Sequence, residues 1–306
     1  MTIVAKDTIG DGPLSPPRRR WLIALSSRSA IIGLVALAMI ASIAVLAPYI
    51  APYSPHERVG EQFERPSLAH PLGLDDGGID MLTLMLYGAR VSLVVGFAAA
   101  AVAILIGGTV GLVAGYVGGR TDMILSRITD YFLVIPDIPL IIVVAAIWGR
   151  SLSNVILIIG TVYWTWTARI VRAQVKSLRE RIFIRRAKAI GASNLRIVAR
   201  HLLPHVAPLI AANTVIMVAY AIFAETAIAF LGLGDPSLIS WGKLIENAFQ
   251  GSAVSVKAWW AIAPPGFAVA VVIVACTLTG RAIEDALNPR LSTSHVSVRT
   301  FRTRIP

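Results

Sequence analysis

Charge is scarce in this 306-residue chain. Only 15% of its residues are Asp, Glu, Lys or Arg, and 56% are hydrophobic. Soluble domains carry about 25% charged residues. With a mean hydropathy of +0.72, a chain this long reads as a polytopic membrane protein. Cysteine is nearly absent. The single Cys276 lies in an apolar run, which excludes an intrachain disulfide and a cysteine-based metal cluster and suits a small buried apolar residue. No G-x-x-x-x-G-K-[ST] loop occurs, so the chain cannot itself cradle the phosphates of ATP. Gly107, Gly108, Gly111 and Gly115 lie inside an apolar helix with no lysine after them, the pattern of close helix packing. Period-two alternation, the mark of a transmembrane barrel, is missing. So are a G-x-S-x-G nucleophile motif and an intramembrane histidine, because His56, His70 and His295 fall outside the apolar runs.

Acid is scarcer than base, 17 residues against 28, for a net charge of +11. Nucleic-acid binding is not the expectation. The charges lie in blocks between apolar segments, and no nucleic-acid-binding motif accompanies them. Six apolar runs are expected to span the membrane as helices: 30–51, 91–116, 124–149, 154–173, 206–231 and 259–281. Lipid leaves bare backbone groups unsatisfied, so spans of this kind must be helical. The first follows Arg18, Arg19 and Arg20 and is about twenty residues long. That is enough for a hydrocarbon core of about 30 Å and longer than a signal-peptide core. In the third, Arg127, Asp130 and Asp137 interrupt the run, and Pro136 and Pro139 predict a kink.

Orientation follows from the basic residues. If the N-terminus is cytoplasmic, 22 of the 28 Lys and Arg face the cytoplasm and six face outward. The positive-inside rule then places both termini inside. The predicted organisation is a cytoplasmic tail 1–29, a first span 30–51, an extracytoplasmic segment 52–90, a five-helix core 91–281 and a cytoplasmic tail 282–306. Residues 52–90 carry six acids, and Trp259 and Trp260 suit an interfacial belt.

Between the fourth and fifth runs lies the most distinctive stretch, 176–205. Lys176, Arg179, Arg181, Arg185, Arg186, Lys188, Arg196 and Arg200 face one acid, Glu180. Gly191 permits a sharp break between two short helices, and Pro204 is expected at the start of the next helix. A bare solvated face could also be this basic, but it would not require Ala187, Gly191, Leu203 and Pro204 at fixed spacing.

That spacing resembles the cytoplasmic coupling loop of ABC importer permeases. In these the pattern is Glu-Ala-Ala, three residues, Gly, nine residues, Ile, one residue, Leu-Pro. Here Arg185 and Arg186 replace Glu and Ala, and His201 stands at the Ile position, as in the peptide-transporting branch. Other segments agree: His70-Pro71-Leu72-Gly73-Leu74-Asp75, then Tyr87-Gly88-Ala89-Arg90-Val91-Ser92-Leu93. They are followed by Glu225-Thr226-Ala227, Phe230-Leu231-Gly232-Leu233-Gly234, Ser240-Trp241-Gly242 and Asp285-Ala286-Leu287-Asn288-Pro289-Arg290. Together they are similar to the shorter permease of dipeptide, oligopeptide and nickel systems.

The resemblance implies an all-α, six-helix fold of the type I importer permease class and transport by alternating access. It implies a second permease, two ATP-binding subunits and an extracytoplasmic substrate-binding protein as partners, besides membrane lipid. ATP and Mg would sit on the partners, and this chain would bind no cofactor. Arg185, Arg186, Ala187, Ile190, Gly191, Ala192, Ser193, His201, Leu203 and Pro204 would form the ATPase-coupling surface. Asp130, Asp137 and Glu225, ionisable residues within or near the spans, are candidates for the pathway or its gating, with structural pairing as the rival reading. His201 and His205 stand at i, i+4, a metal-pair spacing, without a third ligand in view. Two other classes stay open on the residues alone: an ion-driven secondary transporter, for which no internal repeat is visible, and a membrane scaffold without an ATPase.

Overall fold

The computed structural model describes residues 27–287. Arg18–Arg20, His295 and the closing Asn288-Pro289-Arg290 lie outside the described residues.

Local chemistry sets the helix ends. Helix α1, Arg28–Ile50, starts where the Ser27 hydroxyl accepts from the Ala30 amide at 3.2 Å. Helix α2, Met81–Val117, starts where Asp80 accepts from both the amide and the hydroxyl of Thr83, at 2.8 and 3.0 Å. This cap moves a predicted boundary. The second span is 37 residues long and begins at Met81, so residues 81–90 of the expected extracytoplasmic segment are helical. Their hydropathy is diluted by Tyr87 and Arg90, but the backbone cap, not the hydropathy, fixes the start. The remainder of the segment is turns, closed by one antiparallel bridge between Leu74 and Asp80.

The third predicted span is two helices, α3 (Gly119–Val134) and α4 (Asp137–Trp148), bent by 87°. Pro136 lacks a donor, and the residue before it, Ile135, takes the extended conformation that a following proline favours. The sequence predicts a kink here, and the structure shows a break. Helix α5, Leu152–Arg179, is capped by Ser151. Then come α6 (Ile182–Ala189), α7 (Asn194–Ile197) and a π turn over Val198–Leu202. The long α8 (Leu203–Phe230) follows, then α9 (Trp241–Gln250) and α10 (Trp259–Leu287). Five helical segments are long and apolar enough to cross a membrane, and the bent pair makes a sixth. The described residues contain no β-strand beyond the isolated bridge.

Helices α2 and α5 form the centre. Gly107, Gly111 and Gly115 repeat every four residues along the contact. A methyl on Gly107 or Gly111 would run into the carbonyl of Trp164 or Ala168, and one on Gly115 would lie 2.8 Å from Val175 Cβ. Gly108 faces open space. The glycine cluster therefore packs helices, as its pattern predicted, through three of its four members. Trp164 is buried in the bundle and Trp166 is half exposed, as expected of residues two apart on one helix.

Candidate functional site

At the basic end of the bundle, the segment after α5 folds back on it. Ile184, Ile197, Leu202 and Val206 are fully buried, together with Ala187, against Val171, Val175 and Leu178 of α5. Each such aliphatic side chain contributes about 1.5–3 kcal/mol on leaving water, so α6 and α7 are fixed on the bundle. The join between them is a Schellman turn. The Gly191 amide donates to the Lys188 carbonyl and the Ala192 amide to the Ala187 carbonyl, both at 3.0 Å. Gly191 has φ +78° with nothing near its missing side chain, so backbone conformation alone demands glycine there. Ser193 then caps α7, accepting from the Arg196 amide.

Pro204 is the second residue of α8, at the helix start its preference predicts, and the chain runs into it from α7 through the π turn. Proline removes a donor, and the π turn absorbs this: the Leu203 amide reaches back five residues to the Val198 carbonyl.

The outward face of this segment holds Arg181, Arg185, Arg186, Lys188, Arg196 and Arg200, all exposed. Among them stand three exposed apolar residues, Ile182 (69%), Ile190 (84%) and Leu195 (78%). Glu180 pairs with Arg185 at 2.9 Å, and this contact holds its carboxyl below the usual range. His205 Nδ1 donates to the His201 carbonyl at 2.6 Å, and the Phe183 ring stacks on His205 at 5.2 Å. The histidine pair thus joins α8 to α6. Among the described residues no three His, Cys, Asp or Glu side chains gather as metal ligands.

Tyr116 and Asp122, which no local pattern singles out, complete this end. Tyr116, in the last turn of α2, donates its hydroxyl to Asn194 Oδ1 at 2.7 Å and lies beneath the Lys188 ammonium, 5.2 Å from its ring centre. Arg179 donates to the Tyr116 carbonyl at 3.2 Å. Asp122 of α3 accepts from Arg172 and Lys176 of α5, at 3.0 Å and 3.1 Å through Oδ2. The four-residue spacing of Arg172 and Lys176 places both on one face of α5, the one local signal for this cluster.

Helix α2 runs from this end to the other. There Trp241, opening α9, donates its indole N–H to the Met85 carbonyl at 3.1 Å and its amide to Ser92 Oγ at 3.2 Å. Ser92 donates onward to Glu225 of α8 at 3.3 Å, and the Ser240 hydroxyl lies beside that carboxyl. Glu225 is 4% exposed and has hydroxyl partners but no cation. Asp235 ties the start of α5 to the same end, accepting from the Leu152 amide.

The three ionisable candidates therefore lie apart. Asp130 pairs with Arg169 at 2.9 Å near the basic end, with both side chains more than half exposed. Glu225 is sealed in the opposite end. Asp137, half buried, opens α4 at the break and accepts from the Ile138 amide at 2.9 Å.

A multi-pass helical membrane protein with glycine-packed spans, a basic helix-turn-helix folded against one end and a buried polar knot at the other has the build of a transport permease. The sequence model for the inner membrane component of binding-protein-dependent transport systems matches residues 107–293. The model for the N-terminal transmembrane domain of oligopeptide transport permease C matches residues 15–71. The chain is 40% identical over 286 residues to a protein of Brucella suis biovar 1 (strain 1330) named as a peptide transport system permease. That match covers 92% of this chain and 94% of the relative. It is 38% identical to the dipeptide transport system permease protein DppC of Alkalihalophilus pseudofirmus, covering 91% of each. With DppC of Escherichia coli K12 the identity is 35%, over 91% of this chain and 95% of that one. The chain belongs to the binding-protein-dependent transport permease family. It is a membrane subunit of an ABC transport system, and the resemblance carried by the coupling-loop spacing is correct.

Proposed function

We propose that this chain forms half of the translocation pathway of a peptide importer, paired with a second, similar permease. Two ATP-binding subunits drive it from the cytoplasm, and a substrate-binding protein delivers cargo from outside. Both termini are cytoplasmic, as the 22-to-6 split of basic residues supports. The basic helix-turn-helix is the ATPase-docking surface. The observation carrying this is the exposure of Ile182, Ile190 and Leu195 within a ring of arginines, on a segment whose other face is buried. ATP and Mg belong to the partner subunits.

Alternating access follows from the connections. ATP shifts the equilibrium only by interacting differently with two states of the complex. Approach of the two ATPases moves the two docked loops. The loop residues Asn194 and Lys188 are held to Tyr116, and α2 is continuous from Tyr116 to Met85 and Ser92. Motion at the cytoplasmic face thus reaches Trp241 and α9 at the outer face, where the binding protein docks. Glu225 serves the assembly of that outer knot. Asp137 lines the pathway, and Asp130 pairs α3 with α5 near its cytoplasmic mouth.

A crosslink tests the docking surface. Ser193 caps α7, so the probe belongs on Leu195, which is 78% exposed. With Cys276→Ser as background, Leu195→Cys should crosslink to an ATP-binding protein in native membranes, in a yield that changes with nucleotide. Accessible cysteines at 190 and 195 that give no such adduct would overturn the docking role.

A further inference from the structure

Away from the helix end at Glu284 and Asp285, two carboxylates in the spans have no cation among the described residues. Asp122 is paired with Arg172 and Lys176, and Asp130 with Arg169. Glu225 and Asp137 have only neutral partners. Glu225 is closed off by the Ser92 and Ser240 hydroxyls. Asp137 is open, and its depth can be read from α5. Its carboxylate lies beside the Tyr163 hydroxyl, eleven residues from the start of α5 at Leu152. At 1.5 Å per residue that is about 16 Å, close to the middle of a hydrocarbon core of about 30 Å.

The backbone around Asp137 is broken by 87° at this depth. Irregular backbone in the membrane interior is tolerated where it lines protein or a water-filled cavity. The last turn of α3 ends at the break, so its terminal carbonyls lack intrahelical donors. Two phenol rings complete the surroundings. Tyr163 and Tyr220 lie 6.2 Å apart between ring centres, and Tyr220 is 52% exposed. One carboxylate without a cation, two tyrosine faces and the carbonyls at the end of α3 form a set that accepts N–H donors and positive charge.

We propose that Asp137, with Tyr163 and Tyr220, is a binding site for a primary ammonium group, the amino terminus of the peptide cargo, at mid-pathway. This rests on the peptide-importer reading above and deepens it. A carboxylate this deep is costly without a cation. An arriving ammonium relieves that cost, so cargo gains a resting point after release from the binding protein. The same cation could instead be a Lys or Arg of the second permease, and the test separates the two.

The complete importer, with its partner permease, ATPases and binding protein, is reconstituted in liposomes and given radiolabelled trialanine. Asp137→Asn should lower uptake at least tenfold. ATP hydrolysis stimulated by the loaded binding protein, and co-purification of the second permease, should stay near wild type. Asp137→Glu should recover most of the uptake. An active wild type beside an unimpaired Asp137→Asn importer overturns the site alone. Loss of the second permease from Asp137→Asn preparations also overturns it, by assigning the cation to that partner. A wild-type complex that hydrolyses ATP yet takes up no trialanine overturns the peptide reading, and the site with it.

Discussion

The two ends of α2 are built differently. At the end opposite the basic loop, Glu225, Ser92 and Trp241 are buried and joined by hydrogen bonds across three helices. Around them the glycines are obligate: a methyl on Gly88 would lie 3.0 Å from Trp241 and one on Gly242 would lie 2.8 Å from Thr226 and Ala229. At the basic end, one hydroxyl, one ammonium over a ring and one guanidinium hold Tyr116 to the loop, and the facing surface is exposed. A buried network has two outcomes, intact or broken. An exposed latch can shift by degrees, because water replaces each lost partner. A membrane subunit driven from one side uses both: a rigid knot to carry the load and an adjustable surface to receive it.

The largest effect is expected where the knot is cut. Glu225→Ala removes the acceptor of the Ser92 hydroxyl and leaves a buried cavity, a loss of about 2–5 kcal/mol. The measurement is the yield of assembled complex after mild detergent extraction, expected to fall severalfold. Glu225→Gln sharpens the point, because its partners are hydroxyls and not a cation. It keeps size and acceptor, so assembly and uptake should stay within about twofold of wild type. Uptake abolished in an assembled Glu225→Gln complex would show that the charge itself is used in gating.

A smaller effect is expected at the latch. Gly191→Val forces a β-branched residue to φ +78°, at a cost of a few kcal/mol. The membrane core is untouched, so the complex should assemble while uptake and substrate-stimulated ATP hydrolysis fall about tenfold. Gly191→Asn is the control, since asparagine tolerates left-handed backbone. It should retain at least half the activity. Equal activity of the Val variant would remove the turn from the coupling path.

How much of this was legible differs between the same two ends. The spans were readable because runs of about twenty apolar residues suit few other structures. The basic helix-turn-helix was readable because Gly191 stands where the turn needs a positive φ. Tyr116 was not, since its partner Asn194 is 78 residues away, and neither was Asp122, 50 residues from Arg172. No local pattern encodes such pairings. Pro136 announced a kink, but its sharpness depends on how α4 packs against α5, which is a tertiary fact. Pro204 marked a helix start and stands at one, but nothing local announced the π turn that joins that helix to α7.

The smallest expected effect lies outside the membrane, in the turn segment before α2. Asp75 is 7% exposed and accepts from the Gly77 and Ile79 amides at 2.9 and 2.8 Å. Burial raises its pKa to about 6, against an ordinary 3.8, with Asp76 adding to the rise and the two amide bonds opposing it. The folded segment therefore holds its proton more tightly than the opened one. Opening becomes easier as pH rises from about 4 through 6, and the change is complete above that window. Two pH units correspond to roughly 3 kcal/mol as a ceiling. Amide exchange over residues 74–81, corrected for intrinsic rates, should be slower at pH 5 than at pH 7.5, by up to about tenfold. Asp75→Asn keeps the acceptor for both amides and carries no charge. In that variant exchange should be slow at both pH values, while uptake at neutral pH stays near wild type. A pH dependence that survives the substitution would have to come from a group other than Asp75 and would overturn this assignment.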